Sequence, residues 1–358
     1  MGSTRRAFID WARGLAVIVM IEAHAMDAWT RAADRNTRAF ADLTILGGFA
    51  APLFLWLAGL GVVLSASRTA ERTGSRMLAV DAACRRGLEI FLLAFLFRLQ
   101  AFIVSPGGHP VTLFRVDVLN VMGPAIVAAG LAWALSDRAV WRVPFYGALA
   151  AGVAMLTPVV RAAPGVDLLP TWVQWYVRPA GDLTAFTLFP WAGFVFAGAA
   201  VGALMVAAPT ADADRLVRLA IGIGGAALIV IGFYTAARPS IYSVPASFWT
   251  SSPTWFAARV GIMMVALAGM SAIPVQPASR WQRPLATLGR ASLFVYWIHV
   301  ELVYGYASWL WRHRLPVWAS VGAWAVFTAL MYRAVVVRDR YLARRSAEFI
   351  PRVTVSEA

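Results

Sequence analysis

Ten apolar windows, near 8–29, 43–66, 87–104, 117–136, 143–160, 184–207, 219–237, 254–273, 291–311 and 316–337, constrain this chain more than any other feature. Each is long enough for a helix to cross a bilayer and carries few charges. Soluble domains are about half apolar, whereas 60% of these 358 residues are hydrophobic, so lipid is the expected solvent. A backbone in lipid must satisfy its own hydrogen bonds, which favours helices. The expected fold is therefore all-α: one polytopic transmembrane domain over 1–358 with about ten transmembrane helices. The fifth window is the least regular, being short and bounded by Pro144 and Pro158. The connections at 161–183 and 238–253 are rich in Pro, Trp and Tyr and are expected to lie against the membrane surface.

All 32 basic residues are arginine, and the net charge is +14. Such a balance in a soluble protein suggests nucleic acid. Here the arginines cluster between apolar windows, so topology and anionic lipid account for them and no nucleic-acid partner is expected. Nineteen lie in segments on the N-terminal side of the membrane, nine on the other side and four within windows. This asymmetry predicts a multi-pass protein with both termini in the cytoplasm. Thr4-Arg5-Arg6 and Ala23-His24-Ala25 imitate an export signal and its cleavage site, but Asp10, Arg13 and Glu22 interrupt the apolar stretch. The first window is therefore expected to be a retained helix. Without lysine, Schiff-base chemistry is excluded. The lone Cys84 has no partner for an internal disulfide and is expected to act as a small apolar residue.

Ionisable residues inside a span cost about 2.5–3.5 kcal/mol each on insertion scales, so they mark function or pairing. The first window carries five: Asp10, Arg13, Glu22, His24 and Asp27. On a helix, Asp10, Arg13, His24 and Asp27 share a stripe about 100° wide, and Glu22 falls away from it. Asp10 and Arg13, at i and i+3, can neutralise each other. His24 lies about 16 Å further along. It shares its face with Asp27, and a carboxylate beside an imidazole is a means of holding a general base. The fourth window places Asp117 and Asn120 one turn apart. The ninth places Ser292, Tyr296 and His299 on one face, with Glu301 on another. Arg98 and Arg259 are buried bases that need an anion or a carboxylate. Arg68, Arg72, Arg76, Arg85 and Arg86 form a cytoplasmic cluster whose guanidinium forks suit phosphates, Arg85 and Arg86 foremost. The positive-inside rule explains the same cluster equally well.

There is no P-loop, no G-x-S-x-G elbow and no H-E-x-x-H motif. These residues alone fit either a membrane enzyme or a proton-coupled transporter or flippase built on an Asp/His/Arg relay. No internal repeat of the transporter kind is visible.

Four segments, in order, bear on that choice: I-D-W-A-R-G-L-A-V-I-V-M-I-E-A-H-A-M-D from Ile9, G-F-A-A-P-L-F-L-W-L-A-G-L-G at 48–61, R-V-D-V-L-N-V-M-G from Arg115, and L-G-R-A-S-L-F-V-Y-W-I-H from Leu288. Together they resemble the heparan-α-glucosaminide N-acetyltransferase-like proteins of bacteria, a group within the transmembrane acyltransferases. The resemblance implies transfer of an acetyl or other acyl group from cytoplasmic acyl-CoA to a sugar hydroxyl or amine at or across the membrane. It implies His24 as the catalytic histidine, with Asp10, Arg13, Asp117 and His299 at the other motif positions. Asp27 is expected to steady the imidazolium. Arg85, Arg86, Arg98, Asn120, Ser292 and Tyr296 are the expected donor-binding positions. The implied partners are acetyl-CoA or another acyl-CoA, a carbohydrate or glycolipid acceptor, membrane lipids and, as a candidate homodimer, a second copy of the chain. The implied location is the cytoplasmic (inner) membrane of a bacterium.

Overall fold

The computed structural model describes residues 6–104, 109–244, 247–276 and 279–348. Thr4 and Arg5 of the export-like segment lie outside these. The described chain is helical, with two isolated β-bridges and no strand. Among the described residues, seven helices are long and apolar enough to cross a membrane. This is an all-α polytopic membrane protein. It divides into two compact units, Met1–Gly47 with Val275–Ala358, and Gly48–Pro274.

The first unit is built on α1 (Ala7–Trp29), followed by α2 (Arg38–Gly47). α1 is about 34 Å long at the usual helical rise, enough to span, although it carries four acidic or arginine side chains. The same unit later adds α11 (Gln282–Arg290), α12 (Ser292–Tyr304) and α13 (Val317–Glu348). α1 and α11 cross with backbones nearly touching. A Cβ on Gly14 would collide with the Leu285 carbonyl, and one on Gly289 with the Asp10 carbonyl. Two glycines that the sequence places far apart thus make one crossing, of the small-residue kind common in membranes. Further along α1, Ala25, Met26, Ala28 and Trp29 pack with Val303 and with the outer ring of Phe40, Leu43, Leu315, Trp324 and Phe327. The segment after α12 is tied to the end of α1 by main-chain bonds from His313 N–H to Ala28 O, Leu315 N–H to Trp29 O and Arg31 N–H to Leu315 O, at 2.9–3.0 Å.

The second unit runs through α3 (Ala50–Thr73), α4 (Arg76–Val104), α5 (Val118–Trp133), α6 (Ala139–Ala162), α7 (Thr171–Val177), α8 (Leu188–Val206), α9 (Ala211–Ala236) and α10 (Pro253–Ala272). Its helix pairs use the same device. Gly59 and Gly198 each abut a carbonyl across the α3–α8 contact, while Gly87 and Gly123 face each other between α4 and α5.

Three expectations about spans need correction. The window 43–66 is two helices, because Gly47-Gly48 interrupts it and the chain restarts at Ala50 with Pro52 in the first turn, where a missing N–H costs nothing. The ninth window shortens to the 13-residue α12, which ends before Gly305 at about 20 Å. The basic segment 67–86 is largely helical, since Gly74 closes α3 in the left-handed conformation (φ 68°) and α4 begins at Arg76.

Candidate active site

At the end of α1 the first unit gathers His24, Tyr304, Asp27, Arg35 and His313 into one hydrogen-bonded chain. His24 Nδ1 lies 3.1 Å from the Tyr304 hydroxyl, and that hydroxyl donates to Asp27 Oδ2 at 2.8 Å. The sequence predicted a direct meeting of His24 and Asp27; the structure inserts a phenol between them. An ionised carboxylate only accepts, so the single Tyr304 proton goes to Asp27, and the phenol oxygen must accept from His24 Nδ1–H. This assigns the tautomer: His24 is protonated on Nδ1, and Nε2 keeps its lone pair. Arg35 pairs with the Asp27 carboxylate at 3.6 Å, donates to the Asp27 carbonyl, and lies 3.2 Å from His313 Nδ1. A guanidinium only donates, so His313 Nδ1 is an acceptor.

Behind His24 stands His299, fully buried, with its ring 5.2 Å from that of His24 in an edge-on arrangement. Its Nδ1 donates to the Val295 carbonyl at 2.8 Å, and its Nε2 has no hydrogen-bond partner among the described residues. Tyr296 contacts it edge-on at 6.0 Å. His24 is half-buried, so of the two imidazoles it is the reachable one. Ser292 opens α12, three turns before the Tyr304 end. At the far end of α1, Asp10 and Arg13 form the expected i,i+3 pair at 3.8 Å. Among the described residues no group of three His, Cys, Asp or Glu side chains could hold a metal.

The remaining sequence candidates lie in the second unit, where they have local partners. Asp117 caps α5, and its N–H donates to Asn120 Oδ1 at 2.9 Å in a capping box. Arg98 pairs with Asp117, which Arg115 also approaches at 3.8 Å, so the anion that Arg98 needs is a carboxylate of its own unit. Asn120 Nδ2 reaches the Tyr176 hydroxyl at 3.4 Å. Arg85 pairs with Asp81 at 2.7 Å and Arg86 with Glu89 at 3.1 Å, all on the exposed side of α4. Arg259 meets no acid among the described residues.

Sequence reasoning missed Tyr304, Arg35 and His313. Tyr304 stood within the ninth window, five residues past His299, a spacing that leaves the helical face on which His299 was noticed. Arg35 and His313 lie in connections, where periodicity carries no information.

The family model described as heparan-alpha-glucosaminide N-acetyltransferase, catalytic, matches residues 5–239. The chain belongs to this family. The matched segment covers most of the chain, including α1 with His24 and the whole of α3 to α8. The heparan-alpha-glucosaminide N-acetyltransferase family supports membrane acetyltransferase activity in general for this protein. Tyr304 and His299 lie beyond the matched segment, so their place beside His24 comes from the structure. No curated protein matches the chain.

Proposed function

We propose that the protein transfers an acetyl or other acyl group from acyl-CoA to a hydroxyl or amine of a sugar or glycolipid, with His24 as general base. The observation that carries this reading is the Tyr304 hydroxyl held between His24 Nδ1 and Asp27 Oδ2. It leaves Nε2 as the basic atom of a partly accessible imidazole, the form a general base requires.

In the direct route, Nε2 takes the proton as the acceptor oxygen or nitrogen attacks the thioester carbonyl. The tetrahedral intermediate then expels the CoA sulfur, which recovers the proton from the His24 imidazolium. Positive charge on the ring strengthens the Nδ1–H bond to Tyr304, whose hydroxyl passes the stabilisation to Asp27. In the two-step route, Nε2 itself attacks the thioester and expels the CoA thiolate, leaving an acyl-imidazolium. The acceptor then attacks the acyl carbon, the neutral ring departs, and the acceptor's proton goes to the thiolate. His299 acts as a wall: buried and bonded to its own helix, it holds the His24 ring in place. Arg85 and Arg86 are the proposed contacts for the CoA phosphates. Their present partners are exposed acids, and such surface pairs are worth about 0–1 kcal/mol, so a phosphate can replace them. Asp10 with Arg13, and Arg98 with Asp117, are given positioning roles in their helices, while Asn120, Ser292 and Tyr296 stay as proposed donor contacts. The location we propose is the cytoplasmic membrane of a bacterium, with both termini in the cytoplasm, a reading supported by the excess of arginine on the N-terminal side.

Labelled acetyl-CoA tests the class of activity. Purified protein in detergent, offered amino sugars and glycolipids, is expected to release free CoA and move the label to an acceptor. A transporter in detergent leaves the thioester intact, and that outcome would remove the proposal.

A further inference from the structure

Arg259 lies six residues into α10 and is 7% exposed. Its guanidinium stacks on the Trp255 ring with 3.9 Å to the centroid and stands 4.9 Å from the Phe49 ring. One of its five N–H groups donates to the Gly48 carbonyl. The others have no acceptor, and no carboxylate pairs with it, among the described residues. The indole Nε1 of Trp255, itself buried, is likewise without an acceptor there. A desolvated cation without a counter-ion is costly, and a buried donor without an acceptor adds to that cost. Stacking on aromatic rings offsets only part of this, because a cation–π contact covers the face of the guanidinium and leaves its edge unsatisfied.

The surroundings repeat the pattern. Trp255 packs on Trp191 at 5.9 Å and Phe194 at 5.8 Å, so this aromatic wall reaches the start of α8. There Arg161, at the end of α6, donates to the Phe189 carbonyl at 2.7 Å and to Thr187 Oγ1 at 2.6 Å, again with no acid. Two arginines therefore flank one aromatic cluster at the same end of the second unit, and neither pairs with an acid among the described residues. Arg98, by contrast, has Asp117, and the buried Arg142 at the start of α6 spends its guanidinium on the Trp133 and Ser136 carbonyls.

We propose that the Arg259–Trp255 pair is a binding site for an oxyanion, a phosphate or carboxylate carried by a membrane lipid headgroup or by a soluble compound. The guanidinium edge supplies a fork of donors in the geometry that such groups accept, and the indole N–H adds one more. The site stands whether or not acyl transfer is the reaction.

Thermal unfolding of the full chain in nanodiscs tests it, with inorganic phosphate titrated over zwitterionic lipid in one arm and phosphatidylglycerol doped into the lipid in the other. A ligand of the folded state raises the midpoint in a saturable way. Wild-type protein is expected to respond in at least one arm. Response to phosphate alone marks a soluble ligand, and response to phosphatidylglycerol alone marks a lipid headgroup. Arg259→Gln is expected to shift half-saturation at least about tenfold upward, the loss of about 1.4 kcal/mol of binding, and Arg259→Lys to fall between. If Arg259→Gln does not fold, Trp255→Phe, which keeps a ring and removes the N–H, is expected to weaken the response several-fold. No saturable response in either arm, or an unchanged half-saturation in whichever of Arg259→Gln and Trp255→Phe folds, overturns the site.

Discussion

The Tyr304 hydroxyl sits 3.1 Å from His24 Nδ1, joining residues 280 positions apart in the sequence and fixing which nitrogen of the imidazole is basic. The donor order is forced, because Asp27 can only accept and takes the one phenolic proton at 2.8 Å. The reactivity assigned to α1 is thus set by the last residue of α12.

Removing that hydroxyl gives the first prediction. Tyr304→Phe keeps the ring that packs edge-on against His24 at 5.5 Å but frees Nδ1. Hydrogen bonds to charged groups contribute about 1.5–3 kcal/mol, so kcat is expected to fall about 10- to 100-fold with little change in the melting temperature. Steady-state acetyl transfer alongside a thermal melt checks both halves.

Crossing geometry gives the second. Gly14→Ala places a methyl against the Leu285 carbonyl, and Gly289→Ala places one against the Asp10 carbonyl; backbone atoms cannot swing aside as a flexible side chain does. Each is expected to destabilise the protein by about 1–3 kcal/mol, the usual cost of overpacking. Gly152→Ala, where nothing lies within 4 Å of the new methyl, is the control and is expected to be near neutral in the same melt.

Much of this was legible in the amino-acid sequence, for identifiable reasons. Membrane burial forces long apolar helices, so all ten windows hold helical segments, and the opening motif singled out His24, which the structure sets beside Tyr304. Failures came where local pattern carries no signal. Gly47-Gly48 ends a helix inside a continuous apolar run, and hydropathy does not register that break. Asp117 and Asn120 looked like a polar pair on one helix face, but they form the N-terminal cap of α5. Tyr304 and Arg35 reach His24 and Asp27 only through tertiary packing, and spacing along one helix cannot reveal it.

The Arg98–Asp117 pair supplies the third prediction. Both side chains are largely buried, at 15% and 10% exposure. Asp117→Ala removes the α5 cap and takes from Arg98 the carboxylate it pairs with, a loss expected to cost about 3–5 kcal/mol. Arg98→Met combined with Asp117→Asn is expected to recover part of it, since Asn also caps helices. Denaturation of the single and double variants in detergent measures the difference.

Acid sensitivity of the connection after α1 is the fourth. The Val317 N–H, at 2.9 Å, and then the Arg31 side chain hold the Asp34 carboxyl below the usual carboxylate range. The folded value is depressed, so the stabilisation is complete above the ordinary value of 3.8 and disappears as pH falls through the depressed folded value. Asp34→Asn is expected to flatten the acid limb of a stability-against-pH curve by lowering the plateau above the ordinary carboxylate value, a small drop because the site is exposed, while wild type and variant converge at the acid end. An acid limb identical to wild type counts against this anchoring of α13.

His24 itself is tested most directly by single-turnover transfer from labelled acetyl-CoA, comparing wild-type protein with His24→Ala matched for folding by thermal melt. A positioned general base contributes about 10²- to 10⁴-fold, so the variant is expected to lose at least about a hundredfold in rate while still binding the donor. Transfer by folded His24→Ala at the wild-type rate would contradict the assignment of His24.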